Sequence, residues 1–236
     1  MNKKIAIIGG AGFIGHNLGM FLKKRGADVF LIDSLSVNNL NSVLDNKDNL
    51  SNPEIAESFI NERLKLIKNN KIKIFIQDAR DYHTLSQLLD SIKPNIIIHL
   101  AAVSHSNRSN KDPYSTFDHS LRTLENALDY SKNKVEQFIY FSSSMVYGNF
   151  SEKNVTEESN CNPIGIYGAL KFSGEKLVIA YNQVFDLPYT IIRPSALYGE
   201  RCVSRRVGQI FIENVIQGKK IIINGTGEEK LDFTYI

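Results

Sequence analysis

The first fifteen residues of the chain decide its fold class. Positions 3–15 read KKIAIIGGAGFIG, an apolar run after a charged pair that leads directly into closely spaced glycines. An apolar run of this length is typical of a parallel β-strand that is covered on both faces. Leu18, Phe21 and Leu22 then recur at helical spacing. The segment therefore predicts a strand, a tight turn and a helix in immediate succession.

The glycines of this turn have a spacing that points to a ligand. Gly10, Gly12 and Gly15 fit the dinucleotide-binding fingerprint, and Gly9 adds one more glycine before them. Glycine permits the tight turn and lets backbone N–H groups approach a pyrophosphate at the helix N-terminus. We predict that the turn binds a dinucleotide, and a glycine-rich turn without a ligand is the alternative.

Asp33 indicates which dinucleotide would bind. It ends the second apolar run, Val29–Ile32, and follows Gly15 at roughly the 20-residue distance at which an acidic side chain meets the adenosine ribose. A carboxylate accepts from the ribose hydroxyls and repels a 2′-phosphate, so Asp33 predicts NAD rather than NADP. The alternative is a loop aspartate that caps a turn.

Tyr167 and Lys171 form a candidate catalytic pair within the stretch IYGALK at 166–171. Positions i and i+4 share one face of a helix, and an ammonium beside a phenol lowers the tyrosine pKa from about 10. Such a tyrosine can act as an acid or base. The spacing alone also fits an amphipathic helix with an exposed lysine. The upstream glycines and the hydroxyl run Ser142–Ser144 favour the catalytic interpretation.

Composition limits the class of protein. The 236 residues are 42% hydrophobic and 22% charged, which suits one large core, and the net charge of +3 is too small to imply a nucleic-acid partner. No apolar stretch is long enough to span a bilayer, and no signal-peptide pattern precedes the first strand. Cys161 and Cys202 are isolated and lack metal-ligand spacing. We therefore expect no metal site, no membrane partner and a cytoplasmic location.

Strand and helix patterns alternate along the chain. The predicted strands lie near 3–8, 28–32, 72–76, 95–100, 137–142 and 189–193. The predicted helices lie near 12–25, 53–68, 81–92, 114–131, 163–185 and 205–217. This alternation predicts an α/β fold, a Rossmann-type doubly wound parallel sheet with helices on both faces.

The helix at 53–68 is an insertion between two strands. Asn52-Pro53-Glu54 is a helix-start signal, and apolar residues from Ile55 to Ile67 recur at helical spacing. We predict an amphipathic helix packed on the sheet, with a partner-binding helix as the alternative.

Together these motifs resemble the extended short-chain dehydrogenase/reductase family, specifically its NAD-dependent sugar-nucleotide epimerase/dehydratase branch. The matching stretches, in family order, are Gly9–Gly15, Asp33, QDARD at 77–81, HLAA at 99–102, FSSSMVYG at 141–148, Tyr167–Lys171, RPSALYG at 193–199 and DFTYI at 232–236. The resemblance covers the whole chain. It implies an NAD-binding Rossmann domain over 1–193 and part of a substrate-binding region over 194–236.

The resemblance also implies roles for individual residues. The catalytic residues would be Ser143, Tyr167 and Lys171. The cofactor contacts would be Gly9, Gly12, Phe13, Ile14, Gly15, Asp33, Asp78, Ala79, Leu100, Ala101, Ala102, Tyr167, Lys171 and Pro194. The substrate contacts would be Ser104, Ser144, Arg201 and Arg205. Asp78 would accept from the adenine amino group. A helix N-cap is the alternative for this residue, and both roles could hold together.

In the mechanism that the resemblance implies, Tyr167 takes the proton from a sugar hydroxyl while the carbon beneath it gives a hydride to the nicotinamide. Lys171 lowers the tyrosine pKa and holds the nicotinamide ribose, and Ser143 hydrogen-bonds the reacting oxygen. Strand alternation would place Ser144 on the side opposite Ser143.

The two histidines nearest these motifs receive no firm role. His99 corresponds to a scaffold position at a strand end, and His105 is a weak candidate for a substrate contact.

Departures from the family pattern narrow the expected reaction. The 4,6-dehydratases of the family carry Asp-Glu where this chain has Ser144-Met145, so water elimination would lack its acid and base. Ala196 stands where an Asn often contacts the nucleotide, and Leu231 stands where an Arg often holds the diphosphate. Arg201, Arg205 and Arg206 would supply diphosphate contacts instead, or they form a solvated helix start.

We therefore expect an NAD-dependent epimerase of a nucleotide sugar that acts as a homodimer. The alternatives are a reductase or dehydrogenase of a related sugar substrate and a non-catalytic dinucleotide sensor. In the family, the segment that matches DFTYI leads into further helices of the substrate domain. We therefore expect these 236 residues to bind NAD but to turn over a sugar nucleotide weakly or not at all.

Overall fold

The computed structural model describes residues 3–45, 52–104, 106–149, 154–204, 206–223, 225–228 and 231–236. Six of its strands are β1 (Lys4–Ile8), β2 (Asp28–Asp33), β3 (Lys73–Ile76), β4 (Ile96–His99), β5 (Gln137–Phe141) and β6 (Tyr189–Ile192). They form one parallel sheet in the order β3-β2-β1-β4-β5-β6. The predicted doubly wound fold is confirmed.

The helices of the described residues are α1 (Phe13–Lys24), α2 (Leu40–Asp45), α3 (Pro53–Asn69), α4 (Tyr82–Ile92), α5 (Ser106–Lys111), α6 (Pro113–Phe117), α7 (Thr123–Ser131), α8 (Gly165–Phe185) and α9 (Val207–Ile216). A π-helical turn at Asp118–Arg122 joins α6 to α7, and a 3₁₀ turn at Ser144–Tyr147 follows β5. Two short strands, β7 (Leu197–Tyr198) and β8 (Thr234–Tyr235), pair in parallel apart from the main sheet.

All six predicted strands and all six predicted helices are present, with bounds that agree within about two residues except at 114–131. That predicted helix is divided into α6, the π-helical turn and α7. The sequence did not predict α2, α5 or the pair formed by β7 and β8. The domain boundary at residue 193 stays a prediction, although β6 does end one residue before it.

The apolar run that opens the chain is buried on both sides of the sheet. In β1, Ile5 and Ile7 belong to one hydrophobic cluster, whereas Ala6 and Ile8 belong to the other. Because successive side chains of a strand point to opposite faces, each face needs its own layer of helices. This explains why β1 lacks the polar alternation of a half-exposed strand.

The inserted helix α3 begins at Pro53, as predicted. It packs against α1, α2 and β3, and it buries Ile60 and Ile67 fully. The interpretation as a packed amphipathic helix is therefore confirmed. Arg63 lies between those two apolar residues and is equally buried.

The order of the strands creates a switch point between β1 and β4, where the chain connections run to opposite sides of the sheet. In open α/β sheets, ligands bind at the carboxyl ends of the strands beside such a point. No helix of the described residues is both long and apolar enough to cross a membrane.

Candidate active site

A cleft of about 500 Å³ opens at the carboxyl ends of β1 and β4. Most of the residues with a predicted role line it. These are Gly9, Gly12, Phe13, Ile14, Gly15, Asp33, Asp78, Ala79, Leu100, Ala101, Ala102, Ser104, Ser143, Ser144, Tyr167, Lys171 and Pro194. The volume lies within the range typical of small-molecule and cofactor sites.

The glycine loop leaves room for a ligand to reach the start of α1. Gly9 has φ +82°, and a Cβ there would lie 2.7 Å from the backbone nitrogen of Ala101, so only glycine fits this approach of the loop to the end of β4. Gly12 is the N-cap of α1, but no side chain caps the helix and its first turn contains no acidic residue. The free N–H groups and the positive end of the helix dipole suit a pyrophosphate.

Asp33 lies at the end of β2 and stabilises the loops on both sides of it. One carboxylate oxygen accepts from the Ala11 backbone nitrogen at 2.9 Å, and the other accepts from the Leu35 nitrogen at 2.8 Å. Burial raises the pKa of this carboxyl group, while the two hydrogen bonds and the charge of Arg63 oppose the rise. The remaining lone pairs can accept from the two hydroxyls of a ribose.

Asp78 lines the cleft just after β3, the strand beside β2, and forms an ion pair. Arg80 donates to both of its carboxylate oxygens, and the same guanidinium donates to Asp118 at 3.0 Å. Burial acts to raise the pKa of Asp78, but the hydrogen bonds from Arg80 outweigh it and lower the pKa. The N-cap of α4 is Asp81, which accepts from Thr84, so the N-cap alternative for Asp78 is wrong.

Tyr167, Lys171 and Ser143 meet at the other end of the cleft. The side chain of Ser143 lies close enough to the hydroxyl of Tyr167 to act on its pKa. Lys171 lies one turn further along α8, is buried, and donates from Nζ to the carbonyl oxygen of Phe141 at 2.7 Å. The phenol, the hydroxyl and the ammonium therefore approach one region at the carboxyl end of β5.

In this structure Lys171 does not lower the pKa of Tyr167. Burial raises the pKa of Tyr167, and the groups that act to lower it are Ser143 and the positive charge of Arg206. Lys171 is directed to a backbone carbonyl, and burial lowers its own pKa to about 8, with Glu175 opposing the change. The prediction that Lys171 lowers the tyrosine pKa is therefore wrong for this structure.

The serines after β5 do not alternate as a strand would place them. The strand ends at Phe141, and Ser144 begins a 3₁₀ turn in which Ser143 accepts from the backbone nitrogen of Met145. Ser143 and Ser144 consequently both line the cleft. The expected separation of these two side chains is wrong because the extended backbone ends before it can apply.

Arg201 does not reach the cleft. Its guanidinium donates to His16 Nε2 at 3.1 Å, to Asn17 Oδ1 at 3.1 Å and to Glu62 at 3.3 Å. These partners lie on α1 and α3, behind the glycine loop. The predicted substrate contact of Arg201 finds no support in this position, because three acceptors already hold its guanidinium.

The other arginine and histidine candidates differ in where the structure places them. Arg206 does line the cleft, and it donates to the carbonyl oxygen of Ser104 at 3.0 Å. Arg205 and His105 lie outside the described residues. His99 is buried among aromatic rings, with its ring stacked on Phe138 at 6.4 Å, which agrees with the scaffold position implied for it.

A buried acidic network behind the catalytic candidates was not predicted. Glu175 is only 1% exposed and accepts from Ser142 Oγ and from two nitrogens of Arg193. Arg193 also donates to the hydroxyl of Tyr147 at 2.9 Å. Glu175 lies four residues after Lys171 on the same face of α8. That spacing was the sequence signal that would have identified it.

This combination of fold and cleft is that of the short-chain dehydrogenase/reductase class. The family model described as the NAD dependent epimerase/dehydratase family matches residues 5–236. The chain therefore belongs to that family.

Individual relatives are similar over nearly all of this chain. It is 31% identical to the dTDP-D-glucose 4,6-dehydratase of Dictyostelium discoideum and 31% identical to an uncharacterized UDP-glucose epimerase of Bacillus subtilis, with 99% of this chain aligned in each case. It covers 53% of the first protein and 69% of the second.

Solved structures show the same architecture. The UDP-glucuronic acid 4-epimerase of Bacillus cereus, in complex with UDP-glucuronic acid and NAD, superimposes with a TM-score of 0.81 at 28% identity. The alignment covers 98% of this chain and 69% of that one. The predicted cofactor, NAD, is confirmed as the cofactor of the family.

Proposed function

We propose that this protein epimerises a nucleotide sugar with NAD, through a transient keto sugar. The observation that carries the proposal is the meeting of Tyr167, Ser143 and Lys171 in the same cleft as the glycine loop and Asp33. A proton-transfer group and a dinucleotide site in one cleft suit the oxidation and re-reduction of an alcohol.

The residues of the cleft fit NAD at each of its parts. The uncapped start of α1 suits the pyrophosphate, the carboxylate of Asp33 suits the adenosine ribose, and Asp78 suits the adenine amino group. When it is bound, NAD supplies a reversible acceptor for the hydride of the sugar carbon.

Each catalytic candidate would contribute one elementary action. Tyr167 would remove the proton from the sugar hydroxyl and return it later. Ser143, which lines the cleft together with Tyr167, would hold the reacting oxygen in line with the phenol. Lys171 would hold the nicotinamide ribose. Arg206 provides the positive charge that acts on Tyr167.

Epimerisation accounts for the cleft better than dehydration does. Among the described residues, the carboxylates that line the cleft are Asp33 and Asp78, at the ends of β2 and β3, where the adenosine would bind. Ser144 and Met145, which line the cleft together with Tyr167, carry no carboxylate. No described carboxylate of the cleft is therefore placed to protonate a departing hydroxyl group.

The test is a screen of nucleotide sugars against the protein, with products separated by isomer-resolving chromatography. The expected product is an isomer of the same mass, formed without a lasting change in absorbance at the reduced-nicotinamide band. Net formation of reduced cofactor would indicate the dehydrogenase alternative. A product lighter by one water would contradict the proposal. NAD binding without any product, from a chain extended to the length of its relatives, would favour a sensor.

A further inference from the structure

A buried arginine reaches the cofactor cleft from the inserted helix. Arg63 lies on α3, has no solvent-exposed surface and yet lines the cleft. Lys65, two residues further along the same helix, is exposed. The helix thus directs the positively charged side chain of Arg63 toward the cleft and that of Lys65 toward solvent.

The nitrogens of the Arg63 guanidinium differ in their hydrogen bonding. Nε and Nη2 both donate to the carbonyl oxygen of Arg201, with the Nε distance at 3.0 Å. Nη1 is buried and has no hydrogen-bond partner among the described residues. A buried charged donor without an acceptor is costly, so a side chain in this state is suited to a ligand that supplies the acceptor.

The position of Arg63 identifies the part of the cleft that it serves. Its charge acts on Asp33, at the ribose side, and on His16, in the first turn of α1. Burial lowers the pKa of Arg63 to about 10, so the guanidinium remains charged at neutral pH. Arg63 therefore lines the cleft close enough to act on both the carboxylate that suits a ribose and the first turn of the helix that suits a pyrophosphate.

We propose that Arg63 is a further cofactor-binding residue, whose Nη1 donates to a phosphate oxygen of the dinucleotide. The inference rests on the proposed function, since it requires a dinucleotide in this cleft. A guanidinium is weakly hydrated and presents its donors in a fixed plane, which suits a buried contact with phosphate. The inserted helix then completes the cofactor site.

Two phosphates of a dinucleotide could supply the acceptor. The pyrophosphate is common to NAD and NADP, whereas the 2′-phosphate exists only in NADP. If the 2′-phosphate is the partner, Arg63 offsets the repulsion that Asp33 exerts on NADP, and the two side chains together set the cofactor preference.

The test compares Arg63→Met with Lys65→Met. Both substitutions remove one positive charge from α3, but only the first changes the cleft. Calorimetric titration with NAD and with NADP should show that Arg63→Met raises the Kd of at least one of them. The expected increase is roughly 10- to 100-fold, the range for losing a hydrogen bond to a charged group. Equal increases for NAD and NADP would identify the pyrophosphate, and an increase for NADP alone would identify the 2′-phosphate. Lys65→Met should leave both Kd values unchanged.

A second variant covers the case in which Arg63→Met does not fold. Arg63→Lys keeps the buried charge but lacks the planar pair of donors, so it cannot hold Arg201 and a phosphate at once. Its Kd should rise severalfold. Kd values within twofold of the Lys65→Met control, in whichever Arg63 variant folds, would overturn the inference. Failure of the unaltered chain to bind any dinucleotide would overturn both the inference and the proposed function. NAD binding together with a product that has lost water would overturn only the proposed function.

Discussion

Arg193 and Glu175 form a two-point ion pair behind the catalytic candidates. Nε of the arginine donates to one carboxylate oxygen at 2.9 Å, and Nη2 donates to the other at 2.7 Å. The pair joins the end of β6 to the middle of α8. It thereby fixes the distance between the wall that carries Pro194 and the helix that carries Lys171.

The first prediction concerns this pair. Glu175→Gln keeps the shape of the side chain but leaves Arg193 without its counter-charge in a largely buried position. The free energy of unfolding should fall by about 3 kcal/mol, the lower end for breaking a buried ion pair. Glu136→Gln is the matched control, because its pair with Lys3 is about half exposed and should contribute far less to stability. Equal losses in urea denaturation would contradict the structural role of Glu175.

The second prediction concerns proton transfer. Tyr167→Phe keeps the ring and removes the group that would carry the proton. If the chain epimerises a sugar nucleotide, kcat should fall by about 10²–10⁴-fold, as is typical when a general acid/base is lost. The Kd for NAD should change little. Tyr114→Phe, at a side chain that is 86% exposed, should retain the full rate. Near-normal turnover by the Tyr167 variant would exclude the proposed chemistry.

The third prediction concerns cofactor choice. Asp33→Asn removes the negative charge while its amide oxygen can still accept from one of the two backbone nitrogens. The affinity for NAD should fall, and the ratio of the Kd for NADP to the Kd for NAD should decrease by about tenfold or more, because the repulsion of the 2′-phosphate is lost. Asp28→Asn, at the partly exposed start of the same strand, should leave the ratio unchanged. If calorimetry of the Asp33 variant gives an unchanged ratio, Asp33 does not determine the preference for NAD over NADP.

The main sheet could be predicted because each of its strands is specified by a short stretch of consecutive residues. Each buried parallel strand is a short apolar run, and the rule that ligands bind at carboxyl ends then brings Asp33, Asp78 and Ser143 to one edge. The helices α2 and α5 were missed because six residues are too few for a periodic pattern. The pairing of β7 with β8 joins two-residue segments that are far apart in sequence, and no local signal specifies it.

The directions of individual side chains were less predictable. Arg201 lies in a segment that resembles a substrate loop, but its backbone adopts φ +65° and its guanidinium turns toward α1. Only the tertiary position of His16 and Asn17 determines that direction. Arg63 was overlooked for a related reason, since a charged residue in an amphipathic helix is ordinarily assigned to the solvent face.

The fourth prediction concerns the pH dependence of stability, through His16. This side chain is fully buried, its Nδ1 lies 2.9 Å from the Gly12 carbonyl oxygen, and its Nε2 accepts from Arg201, so the folded protein holds it neutral. Burial and the adjacent arginine charges lower its pKa from 6.5 to about 4.

Because the unfolded chain binds the proton first, this contribution to stability is complete above pH 6.5 and is lost as the pH falls toward 4. At about 1.4 kcal/mol for each pH unit, the loss over that interval approaches roughly 3 kcal/mol. His16→Gln removes the titration, so its free energy of unfolding should depend less steeply on pH between 6.5 and 4. Some slope will remain, since burial also lowers the pKa of His99, to about 3. His83→Gln, at an exposed position, should keep the slope of the unaltered protein, and identical slopes in all three proteins would show that His16 is not held neutral by the fold.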